Sequence, residues 1–486
     1  MGVLPLNLRP ALEAMRLSIW REFEVDVYEF GWFSIPRGTG IAWLAFLACA
    51  GLCVLSLQLG REQPALVVLP LAVTACAAAG LVLLLACCGS PAAVMAFLFV
   101  LVFVNDALFR VREPGDLGLD WQNAMKFALW GGAGLIGLCQ IGRSWDRISK
   151  GPPLLILTWL GIALLSCFYS ASATYSFGTA VGAAGMFLFA AGTAIVLTEK
   201  QALLTFAIAL SVFVLVGWVV YFAIPSLGRS PFITSDGSII ERMCGLAGQA
   251  NALGCSLATL LACAFVLWYR GHCRLVTVAP FGLLALGTLL STDSRTALLA
   301  FLVGAVAVMA RRTLWRWGAS LLAASLGFIL IAAVPLRTLM SLTGGISRSG
   351  DPTEFLTLTG RTEIWAFVLD KIELQPWFGY GYNSSKFILP LFLGLPGLTV
   401  DEAHNTWLQN LLGTGIVGTA PLVGLVVLQL VLYVRAPDPF RDLMLFVMLV
   451  WGITVAGAYG STPTVMTLMV FMSQMVPSAT SRARLP

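Results

Sequence analysis

Long apolar segments follow one another along almost the whole chain, and this feature constrains the fold more than any other. Hydrophobic residues make up 58% of the 486 residues, and charged residues only 11%. Soluble domains carry about 25% charged residues, so the chain lies far outside that class. A membrane-spanning helix needs about 20 mostly apolar residues. The sequence therefore predicts an all-α polytopic membrane protein and excludes soluble, collagenous and disordered chains.

Apolar windows predict about 12–14 transmembrane helices. The candidate spans are 41–59, 65–87, 91–109, 123–142, 152–170, 177–197, 202–224, 246–269, 275–291, 296–310, 317–335, 412–434, 443–459 and 464–479. Ionisable residues are nearly absent from their centres, where ion-coupled transporters keep such groups. This pattern favours chemistry at the ends of the helices over passage through the middle of the bundle.

The spans and the distribution of Lys and Arg together predict the organisation of the chain. Most of the 29 basic residues fall in segments that are cytoplasmic if the N-terminus is inside. The predicted parts are a cytoplasmic amphipathic segment (1–40), a transmembrane bundle (41–335), a large periplasmic loop (336–403), C-terminal transmembrane helices (404–479) and a cytoplasmic tail (480–486). We therefore expect a multi-pass protein of a bacterial inner membrane with both termini cytoplasmic.

The segment 336–403 is much longer than the other connections, and long loops in compact proteins are usually functional or disordered. Apolar residues from Ile364 to Ile372 recur at helical spacing, and Pro376 is expected to end that helix. The sequence predicts a partly ordered loop with one helix of its own.

Metal and cofactor chemistry finds little support in the sequence. Most of the 11 cysteines lie in apolar runs, where cysteine acts as a small hydrophobic residue, and the chain has only two histidines, His272 and His404. Neither a Cys/His zinc site nor a phosphate-binding Gly-rich loop followed by Lys is recognisable. We expect no metal and no cofactor. The sequence contains no run of five like charges, so we expect no nucleic acid as a partner.

Polar residues gather instead in three places that the predicted topology puts on the outer side. The three places are Glu241–Asn251, Ser291–Ala297 and Asp401–Trp407.

Together with the loop, these places resemble the O-antigen ligase and polymerase superfamily. The motifs that carry the resemblance are Arg242-x-x-Gly245 with Asn251, Ser294-Arg295-Thr296-Ala297, Thr359–Trp365, Pro376–Gly381, His404-Asn405 and Gly413–Gly418. The motif Thr359–Trp365, which reads Thr-Gly-Arg-Thr-x-Ile-Trp, looks most like the motif of the exopolysaccharide polymerase branch. The resemblance covers roughly residues 240–420.

The resemblance implies a GT-C-like membrane glycosyltransferase that uses an undecaprenyl-diphosphate-linked oligosaccharide as donor, by metal-independent, inverting transfer. It assigns the functional roles to Arg242, Arg295 and His404. Elementary chemistry agrees, because arginine matches the oxygens of a diphosphate in a bidentate manner and a histidine suits an acceptor hydroxyl. Five further residues are candidate substrate contacts: Asn251, Asp293, Arg361, Tyr380 and Asn405.

Each candidate also has a purely structural interpretation. The two arginines can be boundary residues that extend to the interface, and His404 can be a loop residue. Asn405 can cap a helix, and Tyr380 can pack the loop. Arg361 can pair with a neighbouring carboxylate instead of a phosphate. The three carboxylates beside these residues can act as bases or orient their neighbours, and they are Asp293, Asp401 and Glu402.

Three classes of function remain open at this point: an enzyme, a precursor transporter and an assembly scaffold. Within the enzyme class, a polymerase would transfer the glycan to another lipid-linked repeat unit, a ligase to lipid A core, and a protein O-glycosyltransferase to a protein. A chain-length regulator and a flippase are the expected protein partners, beside the lipid bilayer itself.

Overall fold

The computed structural model describes residues 27–30, 33–36, 78–109, 120–233, 239–313, 361–392, 400–457 and 459–475. The predicted amphipathic face near the N-terminus, the candidate spans 41–59 and 317–335 and the predicted tail lie outside these residues. The total of 12–14 spans therefore stays a prediction.

Helices dominate the described residues. They are α1 (Ala78–Cys87), α2 (Pro91–Asn105), α3 (Trp121–Cys139), α4 (Ile141–Ile148), α5 (Gly151–Leu165), α6 (Ala173–Val196), α7 (Glu199–Ala223), α8 (Ala250–Tyr269), α9 (Leu275–Thr292), α10 (Arg295–Thr313), α11 (Arg361–Leu374), α12 (Thr406–Arg435), α13 (Pro439–Thr454) and α14 (Val465–Met475). Two antiparallel strand pairs accompany them, β1 (Val27–Phe30) with β2 (Phe33–Pro36) and β3 (Arg229–Ile233) with β4 (Ile239–Met243). The chain is an all-α polytopic membrane protein.

Six of the described helices are long and apolar enough to cross a membrane, namely α5 (with its extension to Tyr169), α6, α7, α8, α9 and α12. The helices α3 and α4 form one further candidate that bends by 88° at its break. The observed bounds follow the apolar windows closely: the predicted span 275–291, for example, is α9. The hairpin β3–β4 was not predicted, because windows of hydropathy detect spans and say little about the short segments between them.

Ion pairs align one end of the bundle. Arg270, at the C-terminal end of α8, pairs with Asp438 at 2.5 Å, and Arg311, near the end of α10, pairs with Asp442 at 2.7 Å. Asp438 caps the N-terminus of α13. The last turns of α8 and α10 therefore lie beside the first turn of α13, and we call this the Arg270 end.

The opposite end, here called the His404 end, is fixed by hydrogen bonds. Asn405 Nδ2 donates to the carbonyl of Ile453 at 3.1 Å, and Thr406 Oγ1 donates to that of Val455 at 2.9 Å. Both carbonyls lie where α13 finishes. The starts of α8, α10 and α12 therefore share the end of the bundle that is opposite Arg270.

The helix α12 is broken at Gly415, which has φ 63° and ψ −164°. The segment 376–382 fills the break with its backbone. Gly381 N–H donates to the carbonyl of Gly413 at 2.7 Å, and Ile416 N–H to that of Pro376 at 2.9 Å. The two Gly-rich motifs of the sequence are thus two halves of one backbone contact.

The break also divides α12 into a part expected inside the hydrocarbon core of the bilayer and a part expected outside it. The part from 416 to Arg435 is about 30 Å long at 1.5 Å per residue, which matches the hydrocarbon core of a bilayer. The first two turns, from Thr406 to Thr414, are consequently expected beyond the apolar core. They support the loop helix α11, whose Ile364 and Val368 pack with Leu412 in a small separate core.

Replacing Gly415 by Ala should disrupt this contact. An added Cβ would lie 2.3 Å from the carbonyl oxygen of Trp377, and its left-handed φ is costly for alanine, about 1–3 kcal/mol. We expect a lower thermal midpoint in detergent and faster proteolysis within 376–382. Gly424→Ala on the same helix is the control, because its Cβ would make only ordinary contacts at 3.8 Å or more. Equal behaviour of the two variants would contradict the role of the break.

Candidate functional site at the His404 end

Arg242 is held in place by the turn between two spans. It lies on β4, is 8% exposed, and donates from Nε and from one terminal nitrogen to the carbonyl of Thr292 at 2.9 and 2.8 Å. The same terminal nitrogen lies 3.2 Å from Asn251 Oδ1, in the first turn of α8. The guanidinium therefore joins the hairpin, α8 and the end of α9.

Arg295 follows that turn and is far more open. Its Nε lies 3.3 Å from Asp293 Oδ1, and its side chain is 41% exposed. Asp293 has φ 49°, in the left-handed region where Asp, Asn and His are the usual non-glycine residues. The turn packs closely on α8, because a Cβ on Gly254 would meet Ser294 Oγ at 2.4 Å. The structure thus brings Arg242, Asn251, Asp293 and Arg295 together as one arginine cluster.

His404 is presented by a second set of contacts, at the start of α12. Trp365 Nε1 on α11 donates to the carbonyl of Ala403 at 2.9 Å, and Ala403 N–H donates to Gln409 Oε1 at 2.9 Å. His404 itself has φ 49°. The loop helix and the first turns of α12 therefore both hold the backbone on which His404 lies.

The surroundings of His404 keep its ring neutral. Burial and the nearby positive charge of Arg361 lower its pKa to about 4, although Asp401 acts in the opposite direction. A neutral imidazole can accept a hydrogen bond at one nitrogen while donating at the other. Arg361 is thus placed beside His404 by the first turn of α11, as a second predicted site residue in the same region.

Two acidic residues and one lysine complete the surroundings. Lys386 Nζ lies 3.4 Å from Asp401 Oδ2. Burial raises the pKa of Glu402 to about 7, Asp401 adds to this shift, and Lys386 opposes it. For Lys386, burial works to lower the pKa, but Tyr175 and the two carboxylates outweigh it and raise the pKa. Glu402 is therefore the carboxylate here that titrates near neutral pH.

Two of the predicted substrate contacts have structural partners. Asn405 caps α12, because its Oδ1 accepts from the N–H groups of Trp407 and Leu408 at 2.9 and 3.0 Å. The Tyr380 hydroxyl donates to the carbonyl of Lys371 at 3.0 Å. These contacts match the structural interpretations of both residues, and a substrate role for them stays a prediction.

Lys386 was not singled out from the sequence as a site residue. The available signal was its position, because it is a charged residue followed directly by the apolar residues 387–389. Its proximity to Asp401 depends on how the loop folds back onto the start of α12. Among the described residues, no group of three or more His, Cys, Asp or Glu is arranged to hold a metal ion.

A family model described as O-antigen ligase matches residues 280–423. The matched region runs from α9 into α12 and takes in Arg295, Arg361 and His404. The match supports the O-antigen ligase and polymerase superfamily. It also supports a glycosyltransferase activity of the ligase or polymerase type, with a lipid-linked oligosaccharide as substrate within a membrane. No curated protein matches the chain. Closeness to the exopolysaccharide polymerase branch stays a prediction.

The two arginines should respond differently to substitution. Arg242→Ala removes buried hydrogen bonds to Thr292 and should lower both the thermal midpoint and activity, since a buried hydrogen bond to a charged group contributes about 1.5–3 kcal/mol. Arg295→Ala should leave the thermal midpoint unchanged and lower the rate of glycan transfer by about 10²–10³.

The control is Arg229→Ala, which removes an arginine of the same hairpin that pairs with Glu241 at 2.7 Å. We expect full activity for this variant. Unchanged transfer in Arg295→Ala, measured with protein of normal thermal midpoint, would remove Arg295 from the site.

Proposed function

We propose that the protein is a polysaccharide polymerase of a bacterial inner membrane. It transfers the glycan of an undecaprenyl-diphosphate-linked donor to a sugar hydroxyl of a lipid-linked repeat unit, on the periplasmic face. Transfer inverts the anomeric configuration and needs no metal. The proposed partners are the lipid bilayer, a flippase and a chain-length regulator, and both termini are cytoplasmic.

One observation carries the proposal. The contacts of Asn405 and Thr406 with the finish of α13 put His404 at the end of the bundle where α8 and α10 begin. The arginine cluster lies at those same helix starts. Cationic donors for a diphosphate and a neutral histidine for a hydroxyl thus share one end, as a transfer reaction between two lipid-linked sugars requires.

The arginine cluster suits the leaving group. When the acceptor oxygen bonds to the anomeric carbon, the bond from that carbon to the phosphate oxygen breaks and negative charge grows on the diphosphate. Arginine binds such oxygens in pairs and keeps its positive charge at any physiological pH. We assign Arg295 to direct contact with the diphosphate, because it is open, and Arg242 to the inner wall of that site.

The second cluster suits the acceptor. His404 is neutral and can hold the acceptor hydroxyl by accepting its hydrogen bond, and Arg361 lies beside it. The hydroxyl must lose its proton during transfer. Its proposed acceptor is Glu402, because a carboxylate with a pKa near 7 is a better general base at neutral pH than one with an ordinary pKa.

Transfer to lipid A core, the ligase reaction, would use the same chemistry at both clusters. We favour the polymerase because the sequence from Thr359 to Trp365 resembles the exopolysaccharide polymerase branch. A precursor transporter is disfavoured because its central cavity would be expected to hold charged groups, whereas ionisable residues are nearly absent from the centres of the predicted spans.

The direct test is transfer by purified protein in detergent. With an undecaprenyl-diphosphate-linked repeat unit and no nucleotide or metal, we expect a ladder of longer lipid-linked glycans. The ladder should be lost in His404→Ala and retained in His272→Ala, which removes the other histidine at the opposite end. Glycosylation of added lipid A core without a ladder would establish the ligase instead. Movement of labelled precursor across liposomes without either product would reject the enzyme.

The dependence of the rate on pH tests Glu402. Its raised pKa means that the carboxyl group is protonated below about pH 7 and becomes a base above it. The rate should therefore rise about fivefold from pH 6 to pH 7 and level off by pH 8, as the deprotonated fraction does. Glu402→Gln should be slow and lack this rise, whereas Glu363→Gln, on the exposed side of α11, should keep it. A rise that persists in Glu402→Gln would exclude Glu402 as the base.

A further inference from the structure

A polar recess lies at the Arg270 end, at the opposite end of the bundle from His404. It is an open recess of about 580 Å³ whose lining includes Lys200, Trp268, His272 and Arg274. None of the chemistry assigned to the His404 end uses it.

The recess is positively charged, and none of its lining residues is acidic. The nearby carboxylate, Glu199, is buried: its Oε1 forms an ion pair with Arg270 Nε at 2.8 Å and lies 3.1 Å from Nε2 of His272, which lines the recess. Arg270 also pairs with Asp438, so these three residues together carry one negative charge beside the recess. The two positive charges of Lys200 and Arg274 exceed it.

Two long helices add to this field. Lys200 lies in the first turn of α7, and Arg274 is the N-terminal cap residue of α9. The positive ends of these two helix dipoles lie at the recess, and the negative end of α8, which ends at Tyr269, lies there as well. The basic side chains and the two helix starts favour a phosphate group here.

The recess opens toward lipid. Leu275 and Val276, in the first turn of α9, are 60% and 75% exposed, and Trp268 on α8 is 42% exposed. Both helices are long and apolar enough to span a membrane, so their exposed apolar side chains face acyl chains. A tryptophan and basic residues at the end of a span are typical of the headgroup region of a bilayer.

We propose that this recess binds the phosphate of an anionic phospholipid headgroup. Lys200 and Arg274 hold the phosphate oxygens, Trp268 borders the headgroup, and the acyl chains lie along Leu275 and Val276. The ligand chemistry is a phosphate ester, and the exposed apolar first turn of α9 favours a lipid over a soluble phosphate as its source.

The test compares lipid retention by native mass spectrometry after purification from vesicles of phosphatidylglycerol and phosphatidylcholine. The wild-type chain should retain phosphatidylglycerol in preference. In the double variant Lys200→Gln/Arg274→Gln, the ratio of retained phosphatidylglycerol to phosphatidylcholine should fall about tenfold. The reason is that each basic residue near an anionic surface contributes several-fold in affinity. The matched control, Lys150→Gln/Arg435→Gln, removes two exposed basic residues from the same end and should retain the lipid as the wild-type chain does.

Three results would overturn the proposal. Retention of phosphatidylglycerol by the Lys200/Arg274 variant, with a normal thermal midpoint, would exclude the recess. Equal loss in the control variant would show a diffuse charge effect. Displacement of the lipid by millimolar glycerol phosphate or inorganic phosphate would show that a soluble phosphate is the ligand. Because glycan transfer is not the readout, failure here leaves the assignment of the His404 end unaffected.

Discussion

The backbone contact between the segment 376–382 and the break in α12 is the interaction on which the site depends. It replaces the helical hydrogen bonds that Gly415 interrupts, so the polar backbone of the break is satisfied by the loop instead of water or lipid. The loop is thereby tied to the top of a membrane span. His404, eleven residues before the break, and Arg361, at the start of the loop helix, lie on the two segments that this attachment joins.

Two different electrostatic arrangements stand at the two ends of the bundle. At the Arg270 end, buried acidic residues pair directly with arginines and join α8, α10 and α13. At the His404 end, an arginine and a lysine lie beside a half-buried histidine and Glu402, and the pKa values shift toward a neutral ring and a carboxyl that titrates near pH 7. The first arrangement stabilises helix packing. The second leaves ionisable groups in states suited to proton transfer.

The sequence predicted most of the helices because membrane spans are long, apolar and bounded by charge. It also predicted the helix α11, whose Ile364 and Val368 pack against α12. It could not predict the hairpin that carries Arg242, because β3 and β4 are short. The pairing of Lys386 with Asp401 depends on tertiary folding over 15 residues, and no local pattern encodes it.

The sequence could predict which residues form the site more easily than what each one does. Arg242 and Arg295 look alike as motif residues, but one is buried against backbone carbonyls and the other is open. Asn405 looks like a polar ligand beside His404 and is a helix cap. Burial and partner atoms decide these roles, and they arise from packing between distant segments.

We propose, as the central claim, that the arginine cluster and the His404 loop share one face of the membrane, the periplasmic face of the inner membrane. A membrane-impermeant maleimide applied to spheroplasts tests it directly, with Arg295→Cys, Asp401→Cys and Lys150→Cys compared against the labelling of the parent chain. The account predicts that positions 295 and 401 react in intact spheroplasts and position 150 only after permeabilisation. Labelling of 295 and 401 from opposite sides, or of both only after permeabilisation, would contradict it.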